Sequence, residues 1–280
     1  MSQRIASRLL PTRAVTEGAG VQVRRAIGTP ELRELDPFLL LDHFGSDDPD
    51  DYGAGFPEHP HRGFVTFTHM LDGHMEHRDS MGNRGDLRAG GAQWMKAASG
   101  VIHAEMPRQT RGRMRGFQLW LNLPAAEKMS APDYRDFSAD DIPEVTDGAT
   151  RVRVLAGEYG GRQGALRDPH TGLLYLEARL PAHGRLDVPL QASHQAFVYV
   201  FEGEAAILGH PVPPHHLAVL GAGDSLGLDA GADGARLILV AGRPLGESVE
   251  RHGPFVMNTR QEIEQALADY RDGRLVRPRA

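Results

Sequence analysis

Residues 56–64 read Phe-Pro-Glu-His-Pro-His-Arg-Gly-Phe, and residues 100–107 read Gly-Val-Ile-His-Ala-Glu-Met-Pro. Alternate residues of a β-strand share a face. The two histidines of the first stretch therefore point the same way from one strand, and the histidine and glutamate of the second do so from another. If these strands face each other inside a barrel, the four side chains converge into a donor set that suits a first-row divalent metal ion. The spacing alone is also compatible with histidines that bind no metal ion. The candidate ligands are His59, His61, His103 and Glu105.

The sequence around these stretches predicts β-structure. The chain contains 33 glycines and 19 prolines, scattered throughout, and short runs rich in β-branched and aromatic residues lie between them. Short strands separated by frequent turns are typical of an all-β sandwich or barrel. The predicted strands are Phe64–Leu71, Phe117–Leu123, Val152–Leu155, Leu173–Leu180, Phe197–Phe201, Leu217–Leu220 and Leu237–Val240.

One helix is predicted near the end of the sequence. Thr259 can cap its start, and Glu262, three residues later, completes a capping box. An apolar stripe with helical spacing follows, and Gly273 can end the helix. We expect this helix to pack on a barrel wall through the stripe, which consists of Ile263, Ala266, Leu267 and Tyr270.

A polar stretch at residues 124–145 separates two parts of similar strand-and-turn content. Each part also contains a strand that runs into an acidic residue followed by glycine, at Asp72-Gly73 and at Glu202-Gly203. This is a weak sign of duplicated β-barrels. We therefore predict two barrels, one over residues 1–135 and one over residues 136–280.

Composition excludes several classes of function. The chain carries 31 Lys and Arg against 37 Asp and Glu, a formal net charge of −6. Nucleic-acid-binding domains normally show a basic excess, so we expect no direct nucleic-acid partner. We also expect no membrane partner, because the sequence has no apolar run of about 18 residues. There is no cysteine and no apolar secretion signal at the start. These features favour a cytoplasmic protein.

Several short words, taken together and in order, closely resemble the pirin family. The similarity runs from about Val21 to Tyr270 and so covers nearly the whole chain. The words are Leu35-Asp36-Pro37-Phe38-Leu39-Leu40-Leu41-Asp42, Phe56-Pro57-Glu58-His59-Pro60-His61-Arg62-Gly63-Phe64, His77-Arg78-Asp79-Ser80-Met81-Gly82-Asn83, Gln93-Trp94-Met95, Gly100-Val101-Ile102-His103-Ala104-Glu105-Met106-Pro107, Gln118-Leu119-Trp120-Leu121-Asn122-Leu123 and Gly253-Pro254-Phe255-Val256-Met257-Asn258-Thr259.

The resemblance implies two stacked cupin barrels, which are double-stranded β-helices similar to a jelly roll, with one metal ion in the N-terminal barrel. The metal ligands of the family fall on the four candidates named above. Family members are reported with iron, and some with other divalent metals. We therefore expect iron(II), with copper, nickel, manganese, cobalt and zinc as alternatives.

The lead functional hypothesis is a dioxygenase that cleaves quercetin or a related phenolic substrate with dioxygen, since some family members do so. Glu105 is the candidate catalytic residue, because it would combine the roles of ligand and base. Trp94 and Phe64 are candidates to line an apolar substrate pocket or, alternatively, to fill the barrel core. The rival hypothesis is a non-enzymatic metal- or redox-responsive regulator that binds a partner protein, since other pirins act as transcriptional co-regulators.

Other histidines support weaker expectations. A second site near a hairpin, built from His74, Glu76 and His77, competes with the interpretation that these residues form an exposed rim or pocket wall. The later histidines lack the paired pattern, so we predict that the second barrel is metal-free. They are His194, His210, His215 and His216.

Val65 departs from the family pattern, which commonly has an acidic residue at this position. If the strand stays regular, Val65 shares a face with His59 and His61 and points at the ligands. We then expect weak quercetinase activity in the native chain, and an increase or a shifted pH optimum in Val65→Glu. The alternative is that position 65 only packs.

Overall fold

The computed structural model describes residues 2–277, and strands dominate it. All seven predicted strands are present, which confirms the all-β prediction. Short 3-10 turns occur at Pro49–Asp51, Ala125–Glu127 and Ala139–Asp141. In chain order the strands are β1 (Ala6–Pro11), β2 (Arg13–Glu17), β3 (Val21–Ile27), β4 (Phe38–Ser46), β5 (Phe56–His61), β6 (Phe64–Asp72), β7 (His74–Asp79), β8 (Arg84–Arg88), β9 (Ala92–Lys96), β10 (Val101–Pro107), β11 (Met114–Asn122), β12 (Asp133–Phe137), β13 (Glu144–Asp147), β14 (Thr150–Ala156), β15 (Glu158–Tyr159), β16 (Arg162–Gln163), β17 (Leu174–Leu180), β18 (Arg185–Pro189), β19 (Gln195–Ile207), β20 (His210–Val212), β21 (His216–Leu220), β22 (Ser225–Gly242), β23 (Glu250–His252) and β24 (Phe255–Met257).

The N-terminal barrel comprises Ala14–Glu34, Phe38–Ala139 and residues 245–277. It contains a seven-stranded sheet in the order β12-β9-β6-β11-β4-β3-β2 and a four-stranded sheet in the order β5-β10-β7-β8. Residues of both sheets pack into one apolar cluster, so the two sheets enclose a common core. The cluster includes Val21, Val23, Phe44, Met70, Met75, Leu87 and Met114.

The C-terminal barrel comprises residues 2–13, Leu35–Pro37 and Asp140–Pro244. Its nine-stranded sheet runs β1-β21-β19-β22-β17-β14-β13, with β18 on β22 and β20 on β19. The long strand β22 pairs with β17, β18 and β19. Alternate residues of β14, β17, β19 and β22 contribute to the core, among them Val154, Leu176, Val198, Leu237 and Leu239.

The two barrels are not consecutive halves of the chain. Strand β1 pairs with β21 and belongs to the C-terminal barrel, whereas residues 245–277 belong to the N-terminal barrel. Within the polar stretch at 124–145, strand β12 pairs with β9, so this stretch is more than a linker. The compact units therefore differ from the predicted segments 1–135 and 136–280 at both ends of the chain.

The predicted helix is α1 (Arg260–Arg271), and its capping box between Thr259 and Glu262 is present. Ile263 and Ala266 are buried and pack with residues of β24, which confirms that this face contacts the barrel. Leu267 and Tyr270, by contrast, are exposed. Within residues 2–277, no helix is both long and apolar enough to cross a membrane.

Candidate metal centre

The two histidine-bearing stretches form neighbouring strands of one sheet. Strands β5 and β10 pair antiparallel, with His59 opposite His103 and His61 opposite Val101. The strands therefore lie next to each other in one sheet, and their side chains meet because paired residues on adjacent strands lie side by side. The register shifts between His103 and Glu105, which moves the glutamate away from the histidines of β5.

Three of the four candidate ligands form a compact group. The ring centroids are 4.7 Å apart for His59 and His61, 4.3 Å for His59 and His103, and 4.9 Å for His61 and His103. One ring nitrogen from each lies within 4.8 Å of the others. His61 and His103 are buried, and His59 is half-buried.

Glu105 belongs to a second group, which shares His103 and adds His77. Its Oε2 accepts a hydrogen bond from Gln118 Nε2 at 3.0 Å, and its Oε1 lies 3.2 Å from the Thr68 hydroxyl. The carboxylate is buried at 3% exposure. The structure thus brings Glu105 next to His103, and not into the group of three histidines.

The hydrogen bonds of the imidazoles leave nitrogen lone pairs for a cation. His59 Nδ1 lies 2.8 Å from Pro57 O, and His61 Nδ1 lies 3.5 Å from Pro254 O. A carbonyl oxygen only accepts, so in each neutral ring Nδ1 carries the hydrogen and Nε2 is unprotonated. His103 Nε2 is buried without a hydrogen-bond partner. A buried polar atom without a partner is costly, and a metal ion would satisfy it.

His77 supports His103 from the neighbouring strand β7. Its Nδ1 lies 3.4 Å from His103 Nδ1, and its Nε2 lies 3.4 Å from Asp79 Oδ2. Asp79 is in turn held by two backbone N–H groups and by the Asn83 side chain. If Asp79 accepts from His77 and His77 accepts from His103, the lone pair of His103 is directed to its Nε2. Residues in this position orient metal ligands in many proteins.

Burial keeps two of the histidines neutral. Desolvation, followed by the mutual proximity of the imidazoles, lowers the pKa of His61 and of His103 well below the usual 6.5. Neutral imidazole is the form that ligates a metal ion.

The metal-free protein should therefore lose stability on mild acidification. In the unfolded chain these histidines take up protons as the pH falls through about 6.5, whereas the folded state resists. The unfolded state then binds more protons, and each histidine contributes up to about 1.4 kcal/mol per pH unit. We expect denaturant unfolding of the metal-free chain to show this loss between pH 7.5 and 5.5, and His103→Gln to show a smaller slope. Equal slopes for the two proteins would contradict the assignment.

Arg62 and Gly63 hold the end of β5 against the segment that follows Leu245. The Arg62 guanidinium is buried, donates to Ser99 O at 2.6 Å and forms a salt bridge with Asp269 at 2.7 Å. Gly63 has φ +91°, and a Cβ there would lie 1.9 Å from Val256 O, so only glycine fits. The sequence His61-Arg62-Gly63 thus ends β5, the strand that carries His59 and His61, and fixes its position.

Lys128 also holds the end of β5 to the segment that contains Val256. Its ammonium donates to Asn122 Oδ1 at 2.6 Å, to Gly63 O at 2.7 Å and to Val256 O at 3.1 Å. Burial lowers its pKa to about 8. At neutral pH the side chain is therefore still an ammonium, whose three hydrogens match three acceptors.

A cavity of about 640 Å³ opens beside the histidines. His59, His61 and Glu105 line it, together with Trp120 and an apolar wall. Trp94 and Phe64 are not among its lining residues; Phe64 is buried 4.3 Å behind the Trp120 ring. Sequence reasoning missed Trp120, although it lies in one of the family words, because nothing local distinguishes a lining residue from a core residue. The apolar wall includes Val23, Leu40, Phe44, Phe56 and Met75.

Val65 does not point at the ligands. The strand is interrupted between His61 and Phe64, with Gly63 at positive φ, so alternation does not carry across from β5 to β6. Within β6 the pairing with β9 is regular from Val65 to His69. Val65 therefore lies on the face opposite Thr68, which lines the cavity. The expectation that Val65 shares the ligand face is wrong.

We consequently expect Val65→Glu to destabilise the fold and leave the metal content unchanged. Val65 is 1% exposed, so the new carboxyl would be buried without a designed partner, at a cost of about 2 kcal/mol even when protonated. Thermal unfolding and elemental analysis of the variant test this, with Val65→Ile as the apolar control. A gain in quercetin turnover without loss of stability would restore the earlier interpretation.

The other candidate residues are engaged elsewhere. His74 pairs with Asp86, and Glu76 pairs with Arg78, Arg84 and Arg108. Of this trio, only His77 approaches a candidate ligand. Within residues 2–277, neither metal-capable group contains a residue of the C-terminal barrel, and its metal-free state stays a prediction.

Comparison with known proteins agrees with this architecture. Residues 20–121 match the family model described as Pirin, and residues 175–276 match the one described as Pirin C-terminal cupin domain. A Pseudomonas aeruginosa protein named "Putative quercetin 2,3-dioxygenase" is 49% identical over 266 residues, which cover 92% of this chain and 93% of that protein. Human pirin is 40% identical over 269 residues, which cover 94% and 91% of the two chains.

Among solved structures, quercetin 2,3-dioxygenase from Acinetobacter baumannii superposes with a TM-score of 0.91 at 30% identity. The superposition covers 98% of this chain and 99% of that one. The fold predicted from the family words, two cupin domains with a helix near the end, is thus confirmed. The chain belongs to the pirin family.

Proposed function

We propose that this protein is a metal-dependent dioxygenase that acts on quercetin or a related phenolic substrate. The observation that carries the proposal is the group of three histidines, two of which, His59 and His61, line a cavity of about 640 Å³ that also has an apolar wall and Trp120. A cavity of this size and character suits a planar aromatic molecule. The relatives named quercetin 2,3-dioxygenase support the same reaction class.

In this proposal one divalent metal ion, iron(II) in the first instance, is held by His59, His61 and His103, and Glu105, which lies beside His103 in the second group, completes the ligand set. Three imidazoles and one carboxylate fit such an ion, and within residues 2–277 the buried Nε2 of His103 has no hydrogen-bond partner. When bound, the ion supplies Lewis acidity toward a substrate oxygen and a route for electrons to dioxygen. His77 and Asp79 fix the orientation of His103.

Glu105 has a further role as the proton acceptor. A phenolic hydroxyl must lose its proton before its oxygen becomes electron-rich. Glu105 lines the cavity and is fixed by Gln118, so a hydroxyl entering from the cavity meets a carboxylate of defined position. The apolar wall, with Trp120 at its end, excludes water from the reacting ring.

Oxygen uptake tests the proposal directly. The protein loaded with iron(II) should consume dioxygen in step with loss of quercetin, and the protein stripped by a chelator should not. His74→Ala, outside both groups, is the control that should retain activity. Metal-loaded protein that binds about one ion per chain but takes up no dioxygen with quercetin would contradict the proposal and favour the rival hypothesis of a regulator that binds a protein partner.

A further inference from the structure

Arg251 lies at the cavity in an unusual electrostatic position. It belongs to β23 and lines the cavity with its neighbours Gly253 and Pro254. Its guanidinium carbon lies 4.7 Å from the centroid of the Trp120 ring. One N–H donates to Leu39 O at 3.3 Å. A guanidinium has five such donors, so most of its hydrogen-bonding capacity is unused by the described part of the chain.

The nearby carboxylates are already committed to the other guanidinium of the cavity, that of Arg25. Arg25 donates to Asp42 Oδ1 at 2.8 Å, to Asp42 Oδ2 at 2.7 Å and to Glu17 Oε1 at 2.6 Å. Among the ion pairs of residues 2–277, none involves Arg251. The cavity therefore contains one guanidinium that is paired with two carboxylates and, within residues 2–277, one without a direct ion pair.

Arg251 is also close to the candidate metal centre. Trp120 lies between Arg251 and the candidate ligand His61. Its ring centroid is 5.2 Å from that of His61, and the Arg251 guanidinium lies over the face of the same ring. Arg251 is exposed as a residue, yet desolvation of its guanidinium and, next, the positive charge of Arg25 lower its pKa, and the carboxylates of Asp42, Glu17 and Glu34 offset only part of this. A negative group beside it would offset both effects.

We propose that Arg251 forms an anion subsite, which receives a deprotonated oxygen of a planar aromatic ligand in the cavity. The apolar wall takes the ring, and the free edge of the guanidinium takes a phenolate, enolate or carboxylate oxygen through charge-assisted hydrogen bonds. Asp42, Glu17 and Glu58 also line the cavity and disfavour a multiply charged ligand. The ligand class is therefore an aromatic monoanion. This inference rests on the proposed function, because it assigns the charge of its substrate.

The test uses a charged ligand and its neutral counterpart, 2-naphthoate and naphthalene-2-methanol. Binding is measured by calorimetry and by tryptophan fluorescence, with the full chain as purified and after removal of metal by a chelator. Removal of metal separates binding at Arg251 from binding at an ion. The variants are Arg251→Met, Arg251→Lys and, as the matched control, Arg24→Met, since Arg24 is exposed on β3 and does not line the cavity.

We expect the metal-free chain to bind naphthoate about 10- to 100-fold more tightly than the alcohol, the range typical of hydrogen bonds to a charged group. Arg251→Met should abolish this preference, Arg251→Lys should keep part of it, and Arg24→Met should keep all of it. An unchanged preference in Arg251→Met, or no binding of naphthoate by the wild-type chain, overturns the subsite. Oxygen uptake distinguishes the two proposals. A naphthoate preference that depends on Arg251, without quercetin turnover, removes only the enzyme, whereas quercetin turnover with an unchanged naphthoate preference in Arg251→Met removes only the subsite.

Discussion

His103→Ala is expected to lower metal affinity by more than about 100-fold. Groups that merely orient a ligand already contribute about 10- to 100-fold, and His103 is proposed as a ligand itself. It is also the residue common to both metal-capable groups, so its removal leaves neither complete. Elemental analysis of the purified variant, followed by competition with a chelator, measures the effect.

Two further variants make the assignment specific. His77→Phe keeps an aromatic ring but removes the nitrogen next to His103 Nδ1, and we expect an intermediate loss of about 10- to 100-fold in metal affinity. His74→Ala, on the same strand but paired with Asp86, should leave the metal content unchanged. Normal metal content in His103→Ala would end the proposal that the three histidines form the site.

Lys128→Met is expected to lower the free energy of unfolding by about 4 kcal/mol. The variant removes the ammonium from three acceptors. Asn122 Oδ1 keeps a hydrogen bond from Leu123 N at 3.0 Å, whereas Gly63 O and Val256 O lose the charged donor, at about 1–3 kcal/mol each. Methionine is close in length and fills the space, so lost packing contributes little. Denaturant unfolding at pH 7, where the lysine is still charged, gives the number.

The chain offers a matched control for this experiment. Of its 31 basic residues only two are lysines, Lys96 and Lys128. Lys96 contacts Ser130 at 3.1 Å and Glu127 at 3.6 Å near the surface, so Lys96→Met should cost less than about 1 kcal/mol. A similar loss in both variants would show that the three hydrogen bonds of Lys128 contribute nothing special.

Local sequence patterns were sufficient to predict the strands and the helix. Strands and the capped helix follow from alternation, turn residues and the Thr259–Glu262 pair, all of which act over a few residues. The exchange of terminal segments between the barrels was not predictable in this way, because the partner of β1 is β21. Such pairings depend on packing between residues more than 200 positions apart, for which the sequence carries no local signal.

The same contrast holds for the site. The alternation of side chains along a strand identified the histidines as candidate ligands. It placed Val65 on the wrong face because Gly63, at positive φ, interrupts the strand. Trp120 and Arg251 could not be found at all, since they reach the cavity from β11 and β23. The wall of a cavity is built from residues of several strands, which a local pattern does not relate to one another. A pair of ligands such as His59 and His61 lies on one strand and is visible in the local sequence.

The attachment of the ligand strand also sets an order for biosynthesis. Arg62 and Gly63 find Asp269 and Val256 about 200 residues further along the chain. On the ribosome, the stretch with His59 and His61 emerges long before the residues that hold it in place. The histidines can meet a metal ion early, but the surrounding cavity takes its final shape only when α1 has left the exit tunnel. The proposed centre is therefore complete only after this attachment has been synthesised, and a chain interrupted before Val256 would carry the ligands without the contacts that hold their strand.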